Sequence, residues 1–162
     1  MGGDAGNDRV FGDAGNDCVG RGDGDDVLEG GTGADGLYGD AGDDVLVGGA
    51  GADVLFGHGG ADRFVFLSVT DSLASARDRV GDFNATEGDR IDLSAIDADV
   101  NAAGDQAFVL VGAFTGVAGQ AVATFDERSG GMTLLADVDG DGRADFGVEA
   151  VGNFRDAPIF IL

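Results

Sequence analysis

Residues 3–65 divide without insertion into seven nonapeptides: GDAGNDRVF (3–11), GDAGNDCVG (12–20), RGDGDDVLE (21–29), GGTGADGLY (30–38), GDAGDDVLV (39–47), GGAGADVLF (48–56) and GHGGADRFV (57–65). Position four is always glycine (Gly6, Gly15, Gly24, Gly33, Gly42, Gly51, Gly60) and position six always aspartate (Asp8, Asp17, Asp26, Asp35, Asp44, Asp53, Asp62). Position eight is always apolar: Val10, Val19, Leu28, Leu37, Leu46, Leu55 and Phe64. A fixed period of this kind marks a solenoid, in which no single repeat buries its own apolar face and stacking supplies the core. Glycines at positions one and four permit positive φ, so the first six residues are expected to form a tight turn with carbonyls facing inward. Residues seven to nine have length for a short strand with one buried side chain. Position one departs from glycine at Arg21, and position two is Asp4, Asp13, Asp40 or His58 in four repeats.

If two nonapeptides make one coil, odd repeats stack on one side and even repeats on the other. That leaves three gaps between stacked turns on one side and two on the other, five interior sites in all. Each gap is expected to hold a cation between the position-six aspartates of turns n and n+2. The carbonyls of the position-four glycines complete the shell. Without the cation those carboxylates repel one another at close range.

Composition points the same way. The chain of 162 residues carries 31 acidic and 9 basic residues, a net charge of −22, and its acids are 27 aspartates and only four glutamates. A short, stiff carboxylate repeated in tight turns suits calcium, a hard ion that prefers oxygen donors. The charge argues against nucleic acid as a partner. The 32 glycines lack the every-third spacing of collagen, and 43% hydrophobic residues suffice for a core. Cys18 is the one cysteine, so no intrachain disulfide forms, and it reads as a bystander. No apolar run approaches the ~20 residues of a membrane span, so no membrane insertion is expected. The first residues lack the pattern of a secretory signal peptide. His58, the single histidine, reads as an exposed turn residue and leaves little room for a zinc site. A His-Glu-x-x-His helix is absent, so the chain is expected to be no enzyme, with any proteolysis lying in an upstream domain. An array starting almost at residue one suggests a piece of a longer protein.

Beyond Val65 the period stops and glycine thins to 12 residues. Strands are expected at 106–111, 121–125, 132–136, 146–151 and 159–162, and a short helix over Asp92–Asp97 with Ser94 as its cap. The division is thus a repeat array over 1–65 and a β-rich cap over 66–162, which covers the open end of the last coil. Phe64 and Phe66 are assigned to the core at the junction. In the cap, Asp137, Asp139, Asp141 and Asp145 fall at positions one, three, five and nine of an EF-hand-like loop, with Arg143 at the backbone-carbonyl position seven and Gly142 at position six. Position twelve is Val148 rather than glutamate, and a polar Asp-Gly hairpin is the competing reading.

The array resembles the RTX (repeats-in-toxin) family, whose glycine-rich nonapeptide forms a calcium-bound parallel β-roll. Residues 66–162 look like the C-terminal module of serralysin-type secreted proteins. The likeness rests on Asp62–Phe66, Ala76–Phe83, Gly88–Ser94, Asn101–Phe108, Ala136–Phe146 and the apolar terminus. Together the resemblances imply an all-β fold, a parallel β-roll capped by a β-sandwich-like segment. They also imply Ca²⁺, about five ions in the roll and one or more in the cap. Asp78 and Asp82 are further ligands by this resemblance, or solvated surface. A C-terminal signal read by a type I secretion ABC-transporter complex is implied as well, and with it a secreted, extracellular protein. Asp156 is separated from Ile159–Leu162 by Ala157 and Pro158, whereas the family signal often joins acid and hydrophobics directly. The expected function is a non-catalytic module that folds on calcium after secretion, as part of a protein such as a serralysin-like metalloprotease. The alternative is a polysaccharide- or cell-surface-binding repeat module, as in alginate epimerases. For that, the charge of −22 requires an arginine-lined face or bridging calcium on any anionic polymer.

Overall fold

The computed structural model describes residues 5–20, 22–155 and 159–162. Asp4, Arg21, Asp156, Ala157 and Pro158 lie outside the described residues. The described chain is all-β: β1 (Arg9–Phe11), β2 (Cys18–Gly20), β3 (Val27–Thr32), β4 (Gly36–Tyr38), β5 (Val45–Ala50), β6 (Val54–Phe56), β7 (Arg63–Val65), β8 (Asp78–Asn84), β9 (Arg90–Asp92), β10 (Val109–Leu110), β11 (Gln120–Asp126), β12 (Gly131–Asp137), β13 (Phe146–Asn153) and β14 (Phe160–Ile161). Repeats alternate between two sheets. The odd ones build β1-β3-β5-β7-β9-β14, and the even ones open the longer sheet β2-β4-β6-β8-β13-β12-β11-β10. Within the array every pairing is parallel and joins residues eighteen apart, as in Val10↔Leu28 and Leu37↔Leu55. One coil is therefore two nonapeptides.

Period-two alternation decides what goes inside. Position eight points inward, and Val10, Val19, Leu28, Leu37, Leu46, Leu55 and Phe64 form a buried file. Both sheets run past residue 65: β8 adds to β6 with Val80 beside Leu55, and β9 adds to β7 with Ile91 beside Phe64. Phe64 tilts against Phe83 at 6.2 Å, and Phe66 meets Phe146 edge-on at 5.2 Å, so both phenylalanines sit in the core. The antiparallel strands β11, β12 and β13 join the longer sheet through the parallel pair β13–β8.

Three local expectations change. The left-handed turn residues are at positions two and four, not one and four. Position-four glycines have φ between 120° and 157°, and at position two Asp13, Asp40 and His58 have φ of 70°, 72° and 67°. Aspartate and histidine tolerate this region better than most residues, which is why they stand in for glycine there. Position one is glycine for room instead: a Cβ on Gly30 would lie 2.6 Å from Asp35 Oδ2. The helix over Asp92–Asp97 is a turn. Asp92 Oδ1 accepts the Ser94 N–H (3.0 Å) and Ser94 hydroxyl (2.7 Å), so the aspartate caps the serine. Finally, the strand at 106–111 shrinks to β10, two exposed residues.

Candidate metal centre

The aspartate column is a continuous ladder. The backbone N–H of each position-six aspartate donates to Oδ1 of the aspartate one coil on. On the odd side Asp8 reaches Asp26 (2.7 Å), Asp26 reaches Asp44 (2.8 Å) and Asp44 reaches Asp62 (3.0 Å). On the even side Asp17 reaches Asp35 and Asp35 reaches Asp53, both at 2.8 Å. Two members stand beyond the array: Asp53 donates to Asp78 Oδ1 and Asp62 to Asp89 Oδ1, each at 3.0 Å. The odd column therefore has four steps and the even column three.

Each ladder bond uses one carboxylate oxygen. The other, Oδ2 of Asp26, Asp35, Asp44, Asp53, Asp62 and Asp78, is buried without a hydrogen-bond partner. Those of Asp35, Asp44, Asp53 and Asp62 face the position-one glycines of their own repeats, and a Cβ on Gly48 would come within 2.6 Å of Asp53 Oδ2 and 3.1 Å of Asp78 Oδ2, which thus converge on one place. Nearby, the carbonyls of Gly6, Gly15, Gly24, Gly33 and Gly42 abut Gly24, Gly33, Gly42, Gly51 and Gly60 so closely that a Cβ there would overlap them. The position-four column keeps two successive turns in contact.

Burial sets the electrostatics. It pushes the Asp44 and Asp53 carboxyls up to about 6, Asp62 to about 7 and Asp78 to about 8. Asp89 is also raised. In each case desolvation is the main cause; the accepted N–H bonds oppose it, and the neighbouring carboxylates add to it. A buried, unpartnered carboxylate oxygen is costly unless a proton or a cation neutralises it. The donor set, carboxylates with turn carbonyls close by, matches a hard divalent ion of calcium's type and offers a soft metal nothing.

Position five carries a second ladder that runs in the opposite sense. Asn7 Oδ1 accepts the Asp25 N–H (3.1 Å), Asn16 Oδ1 the Ala34 N–H (3.0 Å), Asp25 Oδ1 the Asp43 N–H (3.0 Å) and Asp43 Oδ1 the Ala61 N–H (2.8 Å). Asp82 stands apart from the columns. It accepts the N–H groups of Gly57 (3.1 Å) and His58 (3.0 Å), and its Oδ2 lies 3.4 Å from His58 Nδ1. His58 is exposed, and its ring stacks on Phe56 at 5.8 Å.

In the cap, Asp137, Asp139 and Asp145 bring carboxylate oxygens within 4.8 Å of one another. Asp137 is fully buried and accepts the N–H groups of Gly140 (2.7 Å) and Gly142 (2.9 Å), while Asp145 Oδ2 accepts that of Val138 (3.0 Å). Asp141 is not part of this group; it accepts the Arg143 N–H at 2.7 Å.

The sequence reading missed Asp89 and the position-five ladder. A signal for Asp89 exists. Asp8-Arg9-Val10, Asp62-Arg63-Phe64, Asp78-Arg79-Val80 and Asp89-Arg90-Ile91 repeat an Asp-Arg-apolar triplet, so the unit outlives its period.

Residues 3–162 match the family described as Peptidase M10 serralysin C terminal. Over 89 residues, 55% of the chain, it is 43% identical to the metalloprotease AprA of Pseudomonas entomophila strain L48 and equally to the metallopeptidase AprA of Pseudomonas marginalis. The matched stretch spans 18% and 17% of those relatives. The solved AlgE6R3 subunit of the Azotobacter vinelandii mannuronan C5-epimerase is similar with TM-score 0.52 and 30% identity, over 90% of this chain and 71% of that one. The AlgE6R2 subunit gives TM-score 0.54 and 27% identity, over 90% and 83%.

Proposed function

Since the chain belongs to the serralysin C-terminal family of M10 peptidases, we propose that it is a non-catalytic module that folds on calcium after type I secretion, attached to an upstream catalytic domain. The observation that carries this reading is the file of buried Oδ2 atoms without partners. A roll with one inward apolar side chain per nonapeptide has little else to hold it, and the same carboxylates that oppose folding when bare favour it once a divalent ion lies between them. The repeats over 1–65 are the ion-binding part and 66–162 the closing part, with Asp78 and Asp89 lent to the last two gaps. Asp137, Asp139 and Asp145 hold a further ion in the cap.

Calcium supplies the positive charge and the flexible oxygen coordination that these gaps lack. Extracellular modules bind it at roughly 10⁻⁴ to 10⁻³ M, and a site filled at ten times its dissociation constant adds about 1.4 kcal/mol. Seven such gaps together add about 10 kcal/mol, the size of a whole domain's net stability of about 5–15 kcal/mol. In a cytoplasm poor in free calcium the −22 chain stays expanded and threadable, and outside it folds. Far-UV circular dichroism in EGTA and then in calcium tests the switch, and equal strand signal in both overturns it. Calorimetric titration counts the ions: seven in the roll is expected, against five if the ladder stops at Asp62.

The likeness to epimerase subunits favours one second reading, that the roll also binds a polysaccharide or cell surface. An anionic polymer would then need bridging calcium. A glycan pull-down that depends on calcium supports this, and none with or without it removes it.

A further inference from the structure

Three aromatic rings stand side by side on the outer face of the longer sheet, where neither the core nor the aspartate columns need them. Tyr38 and Phe56 end neighbouring strands in register, and their rings are parallel within 6° at 5.4 Å. The His58 ring continues the set, 14° from the plane of Phe56 and 20° from that of Tyr38. Glycine makes the room. Tyr38 folds back over Gly36, where a Cβ would lie 3.4 Å from its ring, and Phe56 reaches across Gly81, where a Cβ would overlap it. Asp82 fixes the third ring: its carboxylate accepts the N–H groups of Gly57 (3.1 Å) and His58 (3.0 Å), which holds His58 at its φ of 67°. The platform is thus built in advance, and pre-organisation of this kind lowers the cost of binding.

Charge selects what lies on it. Beside the rings, Gly20, Gly36, Val54 and Gly81 carry none, Asp82 is turned to backbone N–H groups, and Glu149 is bridged by Arg77 at 3.0 Å. Arg79, between Val54 and Glu149, has no ion pair among the described residues. On a chain of −22 this strip is close to neutral, so it gives an anionic polymer little, and a second copy of the chain is repelled. The geometry points to a binding site for an uncharged polysaccharide of the β-glucan type, whose sugars carry C–H groups on both faces and hydroxyls around the edge. The C–H faces lie on Tyr38, Phe56 and His58, and Arg79 donates to hydroxyls at the rim; aromatic and arginine side chains are the usual anchors of a binding surface. This rests on the second reading above, gives it a place and a substrate class, and needs no bridging ion.

Tyr38 is the one tyrosine of a chain without tryptophan, so its fluorescence reports on the platform alone. The test titrates the full chain, in calcium throughout, with cellohexaose and with laminarihexaose. At least one should change the Tyr38 emission saturably. Phe56→Ala should then need about tenfold more of that sugar, the loss expected when a binding anchor is truncated, whereas Phe125→Ala, an exposed ring elsewhere on the sheet, should need the same amount. Emission indifferent to both sugars overturns the inference, and so does unchanged affinity in Phe56→Ala. If alginate is retained in a calcium pull-down while neither neutral sugar moves the emission, the second reading stands without this site; if no glycan is retained, both fall. Should Phe56→Ala not fold, His58→Asn decides in its place, because asparagine tolerates the left-handed turn but removes the ring: weaker binding is expected, and unchanged binding overturns the site.

Discussion

The array and the β11–β13 meander share one sheet and are held by different physics. In the meander, Ala121, Met132, Leu134, Ala136, Phe146, Val148 and Ala150 put a dense inward face on three long antiparallel strands. Apolar burial at about 25 cal/mol per Å² can sustain such a unit unaided. In the array each strand offers one inward side chain, and the volume beside it is taken up by carboxylates with an unpartnered oxygen. The first region is stable because of what it excludes from water. The second buries carboxylate oxygens without a partner, and under the function proposed above it needs a divalent ion beside them to be stable.

Withdrawing calcium is the strongest way to expose the difference. With EGTA at neutral pH, amide protection across β1–β9 should fall by the ladder's full contribution of about 10 kcal/mol, while β11–β13 amides exchange more slowly than those of the array. Uniform loss would show that the two regions are one cooperative unit. Next in size is a pair of substitutions. Leu134→Ala should cost about 2–5 kcal/mol by cavity formation, in calcium and in EGTA alike. Asp53→Asn touches two gaps and should lower stability by about 3 kcal/mol in calcium only. Denaturant titrations in both media separate them.

Acid should narrow the contrast. Without metal, the folded-state values of about 6 for Asp44 and Asp53, 7 for Asp62 and 8 for Asp78 lie above the ordinary 3.8, so the folded chain binds more protons than the unfolded one. That stability is fully present below 3.8 and is lost as pH rises through the window up to about 8. Metal-free chain should therefore gain strand signal on acidification from pH 8 to 5, as circular dichroism can check. The smallest effect is expected at position two. Asp40→Gly relieves a left-handed residue and should raise thermal stability by at most about 1 kcal/mol, whereas Asp40→Val should lower it by about 1–2 kcal/mol.

How much could be read beforehand follows from the same division. A nine-residue period with fixed glycine, aspartate and apolar columns dictates turn, ladder and core together, so the roll and its alternating sheets were legible from residues 3–65. Asp78 was reached only through family likeness, and Asp89 not at all, because insertions put them 25 and 27 residues after the aspartates they follow rather than 18. Position five was passed over because it alternates among asparagine, aspartate and alanine, although what it supplies, an acceptor for the next coil, is common to the first two. The sequence at Asp92–Ser94 reads equally as a helix start, because a side chain next to a backbone N–H can close either motif. In the Asp137–Asp145 loop, sequence named the residues but not which of them converge; Asp141 bends back to its own chain.

The alternation of repeats between two sheets has one more consequence. Inserting or deleting eighteen residues adds or removes a whole coil and returns every later strand to its own sheet. Nine residues would send each downstream strand to the opposite side, so that β8 met the odd column and β9 the even one, with Asp78 and Asp89 exchanged. The array can thus change length only in even numbers of nonapeptides, a parity rule written into the backbone rather than into any one side chain.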